Sequence, residues 1–530
     1  MKKHTVPFQK TGYFSKLICD YLNKHPNLTD LYHNYPSLKG FKNQIALKSS
    51  FEISKREILV SVLKNQYKNV ETDELVLSNV KSLGEKNTFT VTTGHQLNLF
   101  TGPLYFIYKI IHTINLAEKL RKEFTDCNFV PVYWMATEDH DFDEINYFNF
   151  KSSKFQWKTG TKTGAVGRLQ TDELNDVFEK FSRVAENSVN AQKLKKLFKK
   201  AYYKKYSLAE ATRVLVNELF GKYGLVILDA DNVSLKKQFS PFIADEFLNQ
   251  TSYKEVSKTI EKFANGYKIQ VNPREINLFY LNKNLRERIV LKDGMYFVNN
   301  TDLSFTKDEI LRELTKNAER FSPNVIMRPL YQEAILPNLA YIGGGGELAY
   351  WLQLKAYFDT VKIPFPILLL RNSVLLASGK QLEKLKKLEI TLEDIFLKQE
   401  VLITKKVKEL SKIKIDFTPQ RTYLKKQFDD LKFLASQTDK SFLGAVNAQE
   451  KKQLNGIDKL EKRLIKAQKK KLVAIVDRII KIQNELFPNQ SLEERTRNFS
   501  DYYLELGENF IPLLKENLDP MAMEFSIIEY

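Results

Sequence analysis

Residues 88–136 constrain this chain more than any other stretch. Thr88-Phe89-Thr90-Val91-Thr92-Thr93 is β-branched or aromatic throughout and predicts a buried strand. Gly94-His95-Gln96 follows, and Pro103 suits the first turn of a helix. From Leu104 onward apolar residues recur at Ile107, Ile111 and Ile114, which is one helical face. The near-continuous apolar run Phe129–Ala136 then predicts a second strand covered on both sides. Strand, glycine turn, helix and strand within about 45 residues make a βαβ unit, whose crossover is almost always right-handed. The expected fold class is therefore α/β, a parallel sheet flanked by helices.

A third strand is expected at Leu225–Asp229, after the turn Gly221-Lys222-Tyr223-Gly224, with others at Val325–Met327 and Pro366–Leu370. The core then spans residues 1–377, with 1–85 mostly helical. Two insertions interrupt it. One, near 150–215, opens polar and Gly/Lys-rich over Lys158–Arg168 and then turns helical. The other, near 262–305, reads as a small antiparallel region around Tyr267–Val271, Leu278–Tyr280 and Tyr296–Val298. Composition shifts at residue 378, and 379–410, 420–436 and 448–486 carry long helical patterns. Leu472, Ile475, Ile479, Ile482 and Leu486 follow the alternating three–four step of a coiled-coil seam. Ile457, Leu460, Leu464 and Ala467 keep that step before a slip ahead of Leu472. A turn near Lys440–Gly444 would fold these helices into an antiparallel arm, 378–486. Phe487-Pro488 ends the arm, and 487–530 return to the core.

Composition excludes several classes. The 530 residues are 43% hydrophobic, enough for a large core. No apolar h-region follows Met1-Lys2-Lys3-His4, so no secretory leader is expected. The apolar run Ile363–Ala377 is broken by Pro364, Pro366, Arg371 and Asn372, so no membrane partner is expected either. Cys19 and Cys127 alone cannot build a disulfide framework or a four-thiolate zinc site, and the six histidines lack zinc spacing. A cytoplasmic setting follows. The net charge is +18, and residues 380–486 hold 26 basic against 15 acidic side chains. Such charge attracts polyanions or simply solvates a lysine-rich surface. The second reading is preferred, because arginine does not dominate and no RNA-binding motif is present.

Ligands of an open parallel sheet bind beyond the carboxyl ends of its strands, and three clusters fall there. In Thr93-Gly94-His95-Gln96, Gly94 permits a tight turn and His95 and Gln96 offer donors to phosphate or acyl oxygens. The bland alternative is a plain turn with a satisfied histidine. Thr137-Glu138-Asp139-His140-Asp141-Phe142-Asp143-Glu144 packs five carboxylates and a histidine into eight residues. Its readings are Mg2+ binding, base chemistry by His140, Asp141 or Asp143, and substrate amine capture with Glu138 and Asp139, or simply helix N-capping and solvated charge. It is no EF-hand, since Glu144 stands where that loop needs glycine. The third is Gly343-Gly344-Gly345-Gly346-Glu347, with Tyr350 and Trp351 beyond it. Its backbone can approach a nucleotide or substrate, or act only as a hinge. Arg371-Asn372-Ser373, Arg495 and Arg497 are weaker phosphate candidates that fit structural salt bridges equally well.

These residues carry a resemblance. Thr93-Gly94-His95-Gln96 with Leu99, Thr101–Tyr105 and Ile107-Tyr108-Lys109-Ile110 resembles the first core motif of the BshC family. Pro131–Ala136 with the acidic run 138–144 is similar too, as are Gly343–Glu347, Leu370–Ser373 and Leu486–Asn489 with Leu492, Glu494 and Arg495. The family often carries Gln where this chain has His95. The resemblance implies a Rossmann-like core with inserted segments and a coiled-coil arm that makes a homodimer. It also implies a cysteine ligase that joins cysteine to the amine of glucosaminyl malate in the last step of bacillithiol synthesis. ATP or ADP would be the nucleotide, with the cysteine carboxylate activated as an acyl-adenylate or acyl-phosphate. His95, Gln96 and the Gly94 and Gly343–Gly346 backbone would then meet phosphate or acyl oxygens, with Arg371, Asn372, Ser373 and Arg495 nearby. Glu138, Asp139, Glu347 and Trp351 would line the substrate. The rival expectations are a tRNA-synthetase-like nucleotidyl-transferring enzyme and a nucleic-acid-binding coiled-coil protein.

Overall fold

The computed structural model describes residues 2–158, 160, 164–263 and 266–530. Its centre is the strand Thr88–His95 (β1), in which every residue is buried. Threonines there need partners, because an unbonded buried hydroxyl is costly. Thr90 and Thr92 donate to Asn338 Oδ1 at 3.1 and 2.8 Å, and Thr93 donates to the Ile342 carbonyl at 2.8 Å. Four more strands join it: Asn128–Met135 (β2), Val226–Asp229 (β3), Asn338–Gly343 (β4) and Ile367–Leu370 (β5). All pairings are parallel, in the order β3-β2-β1-β4-β5. This is the doubly wound order, which reverses between β1 and β4. The helix Tyr105–Glu123 (α1) links β1 to β2 and is buried along most of its first three turns.

The sequence placed a strand at Val325–Met327, and the structure puts a turn there. Asn324 Oδ1 accepts the N–H groups of Ile326 and Met327 at 2.8 and 3.3 Å, which starts the helix Arg328–Ile335 (α2) instead. The core strand of this region is β4, whose flanking Pro337 and glycines disguise it as loop.

The second insertion is an antiparallel sheet of five strands. In order they are Ser304–Phe305, Met295–Val298, Leu285–Lys292, Leu278–Asn282 and Phe321–Pro323. Tyr267–Val271 is not one of them. Gln353 accepts the N–H groups of Gln270 and Val271 at 2.9 and 3.2 Å and donates to the Val271 carbonyl at 2.8 Å, so a side chain replaces the neighbouring strand. The first insertion is a hairpin, Tyr147–Phe150 with Ser153–Gln156, followed by three helices within 175–220. In the Lys158–Arg168 stretch, residues 159 and 161–163 lie outside the described residues.

The arm contains the helices Thr418–Ser436 (α3) and Lys440–Lys471 (α4), joined through Gln437–Asp439. The turn thus precedes the expected 440–444, and Gly444 lies inside α4. Asp439 sets this boundary by accepting the N–H groups of Ser441 and Phe442 at 2.7 and 3.1 Å. Helicity breaks at Leu472, at the slip in the seam, before Val473–Leu486 (α5). Ile479, Ile482 and Leu486 of that seam are buried in the main core. The 379–410 pattern divides into Gly379–Lys387 and Gln399–Leu410. A separate three-stranded sheet places Glu524–Glu529 between Lys3–Pro7 and Val374–Ala377, returning the C-terminal segment to the core.

Candidate functional site

A cavity of about 690 Å³ opens at the carboxyl ends of β1, β2 and β4, over the reversal point of the sheet. Gly94 and His95 enter it from β1, Trp134 and Met135 from β2, and Tyr341 from β4. Arg274, Phe279, Arg286 and Arg288 cover it from the second insertion.

Lys109 on α1 ties the reversal point together. Its Nζ donates to the Gly94 carbonyl at 2.7 Å and lies 2.6 Å from Glu347 Oε1. Glu347 also accepts from Tyr341 OH at 2.6 Å and from the Gly344 N–H at 2.9 Å. Burial alone would raise the Glu347 carboxyl. The charge and hydrogen bond of Lys109, with Tyr341 and Gly344, outweigh it and hold the group below its ordinary value. Beside this pair, burial pushes the His95 imidazole far down, reinforced by the charges of Lys109 and Arg371, so the ring is neutral. It packs edge-on to Tyr105, and its Nε2 is buried without a hydrogen bond.

The acidic run divides at His140. Glu138 lies 2.5 Å from Lys236, and burial still raises its carboxyl against that cation. Asp139 accepts from Gln96 Nε2 at 2.9 Å and from the His140 N–H at 2.7 Å. Burial opposes its ionisation, but hydrogen bonds from His140 and Gln96 carry it well below the usual carboxylate range. His140 Nδ1 meets Arg286 Nη1 at 2.7 Å, and the Arg286 guanidinium stacks on Phe279 at 3.9 Å. Glu138, Asp139 and His140 therefore line the cavity. Asp141 and Asp143 do not. Asp141 caps the short helix Phe142–Ile145 by accepting the Glu144 N–H at 3.3 Å, and Asp143 accepts from Asn146 at 3.4 Å; both are exposed. Among the described residues no group of three or more His, Cys, Asp or Glu converges as a metal site.

The other expected residues sort in the same way. Gly343 ends β4, Gly344 caps the helix Gly345–Trp351 (α6), and Gly345 and Gly346 lie in its first turn. None of the four lines the cavity. Trp351 is fully buried and packs on Tyr341, with ring centroids 4.6 Å apart. Arg371 is committed to a buried ion pair with Glu494 at 2.7 Å and also bonds Ser373 Oγ. The Asn372 side chain donates to the Asp519 carbonyl at 3.0 Å. These three join core to C-terminal segment. Arg495 borders a second hollow of about 330 Å³, which shares Gln96 and Tyr105 with the first. Sequence reasoning assigned no role to Lys109, Arg274, Arg286, Arg288, Arg328 or Tyr341. A lysine inside the apolar run of α1 was one available signal, and Arg286-Glu287-Arg288, which sets two arginines on one strand face, was another.

The order of strands and the position of the cavity define a doubly wound α/β protein of Rossmann-like type, carrying a helical arm. A family model described as "Bacillithiol biosynthesis BshC, N-terminal Rossmann-like domain" matches residues 1–372, and its "C-terminal coiled-coil domain" matches 374–530. The chain belongs to the BshC family. It is 57% identical over 532 residues to a Flavobacterium psychrophilum protein named "Putative cysteine ligase BshC", with all of both chains covered. It is 55% identical to the Flavobacterium johnsoniae protein of that name, again over the whole of both, and 28% identical to one from Bacillus cereus, over 94% of this chain and 95% of the relative.

Proposed function

We propose that this chain is a cysteine ligase of bacillithiol biosynthesis. It would join the carboxyl group of cysteine to the amine of glucosaminyl malate with the help of ATP, in the cytoplasm, as a homodimer built through the arm. The observation that carries the reading is the cavity over the β1–β4 reversal point, where a neutral imidazole, an ionised carboxylate and several cations meet. The names of the full-length relatives support the chemistry.

A free carboxylate is too poor an electrophile to meet an amine at neutral pH, and a nucleoside triphosphate supplies the leaving group it lacks. The unbonded, buried His95 Nε2 fits an oxygen of such a group, and Arg495 at the adjoining hollow fits its phosphates. Asp139, ionised and fixed by Gln96, would hold the incoming amine through a charged hydrogen bond. His140 Nδ1 accepts from Arg286, so its ring proton sits on Nε2 and would be donated to an oxygen of the reacting carboxyl, while the amine proton would pass to Asp139. The buried Lys109–Glu347 pair would keep the Gly94 turn rigid, as preorganised sites require. The nucleic-acid alternative would draw only on the arm's excess of cations, since others are paired internally: Lys408 with Glu461, Lys432 with Glu450, Lys469 with Glu400.

The test is turnover of full-length protein with ATP, Mg2+, cysteine and glucosaminyl malate, with product read by mass spectrometry. Asp139→Asn should lower the rate by about 10²–10⁴. Asp141→Ala should stay within a few-fold of the parent. The reverse pattern would move the chemistry to the outer face of the 141–144 turn. No product from the parent protein would remove the ligase reading.

A further inference from the structure

Two guanidinium groups of the main cavity have no work inside the protein. Arg274 and Arg288 both border it, and neither side chain makes an ion pair or hydrogen bond among the described residues. The neighbouring side chains are bonded within the protein. Lys109 meets Glu347, Glu138 meets Lys236, Arg286 donates to His140, and Arg328 donates through Nη1 to Gln332. Arg274 is exposed and Arg288 half-buried, and uncompensated cations at the mouth of a cleft concentrate anions there. The planar fork of arginine takes the two oxygens of a carboxylate together, which lysine cannot do.

Both groups stand on braced backbone. Arg288 pairs with Phe279 across the inserted sheet and shares a face with Arg286, two residues away, whose guanidinium lies on that same ring. Arg274 is on a loop, but Asn277 clasps it from both sides. The Arg274 N–H donates to Asn277 Oδ1 at 3.0 Å, and Asn277 Nδ2 donates to the Arg274 carbonyl at 2.7 Å. Asn277 is itself fully buried and bonded to Glu246. Such bracing lowers the ordering cost of binding.

We propose that Arg274 and Arg288 form a dicarboxylate clamp that reads the malyl portion of the acceptor. The assignment rests on the ligase reading above, in which the acceptor carries two carboxylates, one for each free guanidinium. It divides the labour of the cavity. The inserted sheet recognises the acid end of the acceptor, and the sheet edge with His95 and Asp139 handles the amine and the activated carboxyl. These arginines are specificity residues and take no part in bond making.

Malate alone is the probe, titrated by calorimetry into the full-length parent and into Arg274→Ala/Arg288→Ala, with inorganic phosphate as the competing anion. The parent should bind malate saturably in the millimolar range, and the double variant should bind it about ten- to a hundredfold more weakly, the effect of losing charge-assisted bonds. In turnover the same variant should raise KM for glucosaminyl malate by a similar factor while kcat and KM for cysteine hold. Arg288→Lys should recover only part of the loss. Equal malate binding by parent and variant overturns the clamp. So does the absence of saturable binding to the parent, or phosphate displacing malate at equal concentration, which would make the site a phosphate reader. Malate binding that depends on both arginines, in a protein that forms no product, would keep the clamp and remove only the ligase reading.

Discussion

Glu493 is a carboxylate held close to its own titration point. It is buried, it accepts the Leu376 N–H at 2.7 Å and the Tyr502 hydroxyl, and burial pushes its pKa from 4.5 to about 7 against the pull of Arg497. The folded state thus binds this proton more tightly than the unfolded chain does. Its stabilising contribution is complete below about pH 4.5 and lost as the pH rises through about 7, a swing of about 3 kcal/mol. Glu493→Gln should therefore flatten the fall in melting temperature between pH 5 and pH 8, in scans compared with the parent. Parallel curves for the two proteins would show that Glu493 is not the titrating group. At this scale the sequence was informative wherever chemistry clustered along the chain. His95, Gln96, Glu138, Asp139 and His140 were legible because each lies at or just past the end of a buried strand, where ligands gather. Asp141 and Asp143 lie just past the point where the chain turns outward into Phe142–Ile145, and spacing alone does not mark that turn. Arg274 was not legible, and Arg288 only as one of two arginines on a strand face, since the folded insertion alone brings them over a sheet edge far away in sequence.

The four glycines show the same limit for an element. Their sequence reads as a flexible cradle, yet they end one strand and start one helix, and each meets protein. A Cβ on Gly343 would stand 2.8 Å from Leu348, 2.9 Å from Tyr341 and 3.0 Å from Glu347. On Gly346 the nearest atom would be 3.8 Å away, on Gln270. Gly343→Ala should cost about 1–3 kcal/mol through overpacking. Gly346→Ala should gain about 0.5–1 kcal/mol through helix propensity and leave turnover intact. Denaturant melts read the first pair of effects. Loss of turnover in a stable Gly346→Ala protein would restore the cradle. The β1–α1–β2 unit was readable because its periodicity changes cleanly from strand to helix and back. β4 was not, because six residues between a proline and a run of glycines carry too little pattern.

Across the whole molecule, the arm keeps apolar surface that the chain itself does not cover. Tyr423, Phe433 and Leu434 of α3 are 68%, 67% and 56% exposed. In the homodimer proposed above, a second copy would cover them. Phe433→Lys with Leu434→Lys should convert a dimer of twice 61.8 kDa into a monomer of 61.8 kDa by light scattering, with the core's melting little changed. An unchanged mass would leave those side chains without a dimer to serve. The +18 charge, by contrast, said little about architecture, because so many of the arm's cations are met by its own carboxylates.

The small sheet has a consequence for how the molecule is made. Lys3–Pro7 pairs residue by residue with 524–528, so one strand waits for a partner made about 520 residues later. At about 5–20 residues per second, the nascent chain spends roughly half a minute to two minutes with that strand unpaired. The parallel core can close around β5 well before then. Assembly should finish as a latch does, with Glu524–Glu529 threading between one edge made early and another made about 150 residues before it.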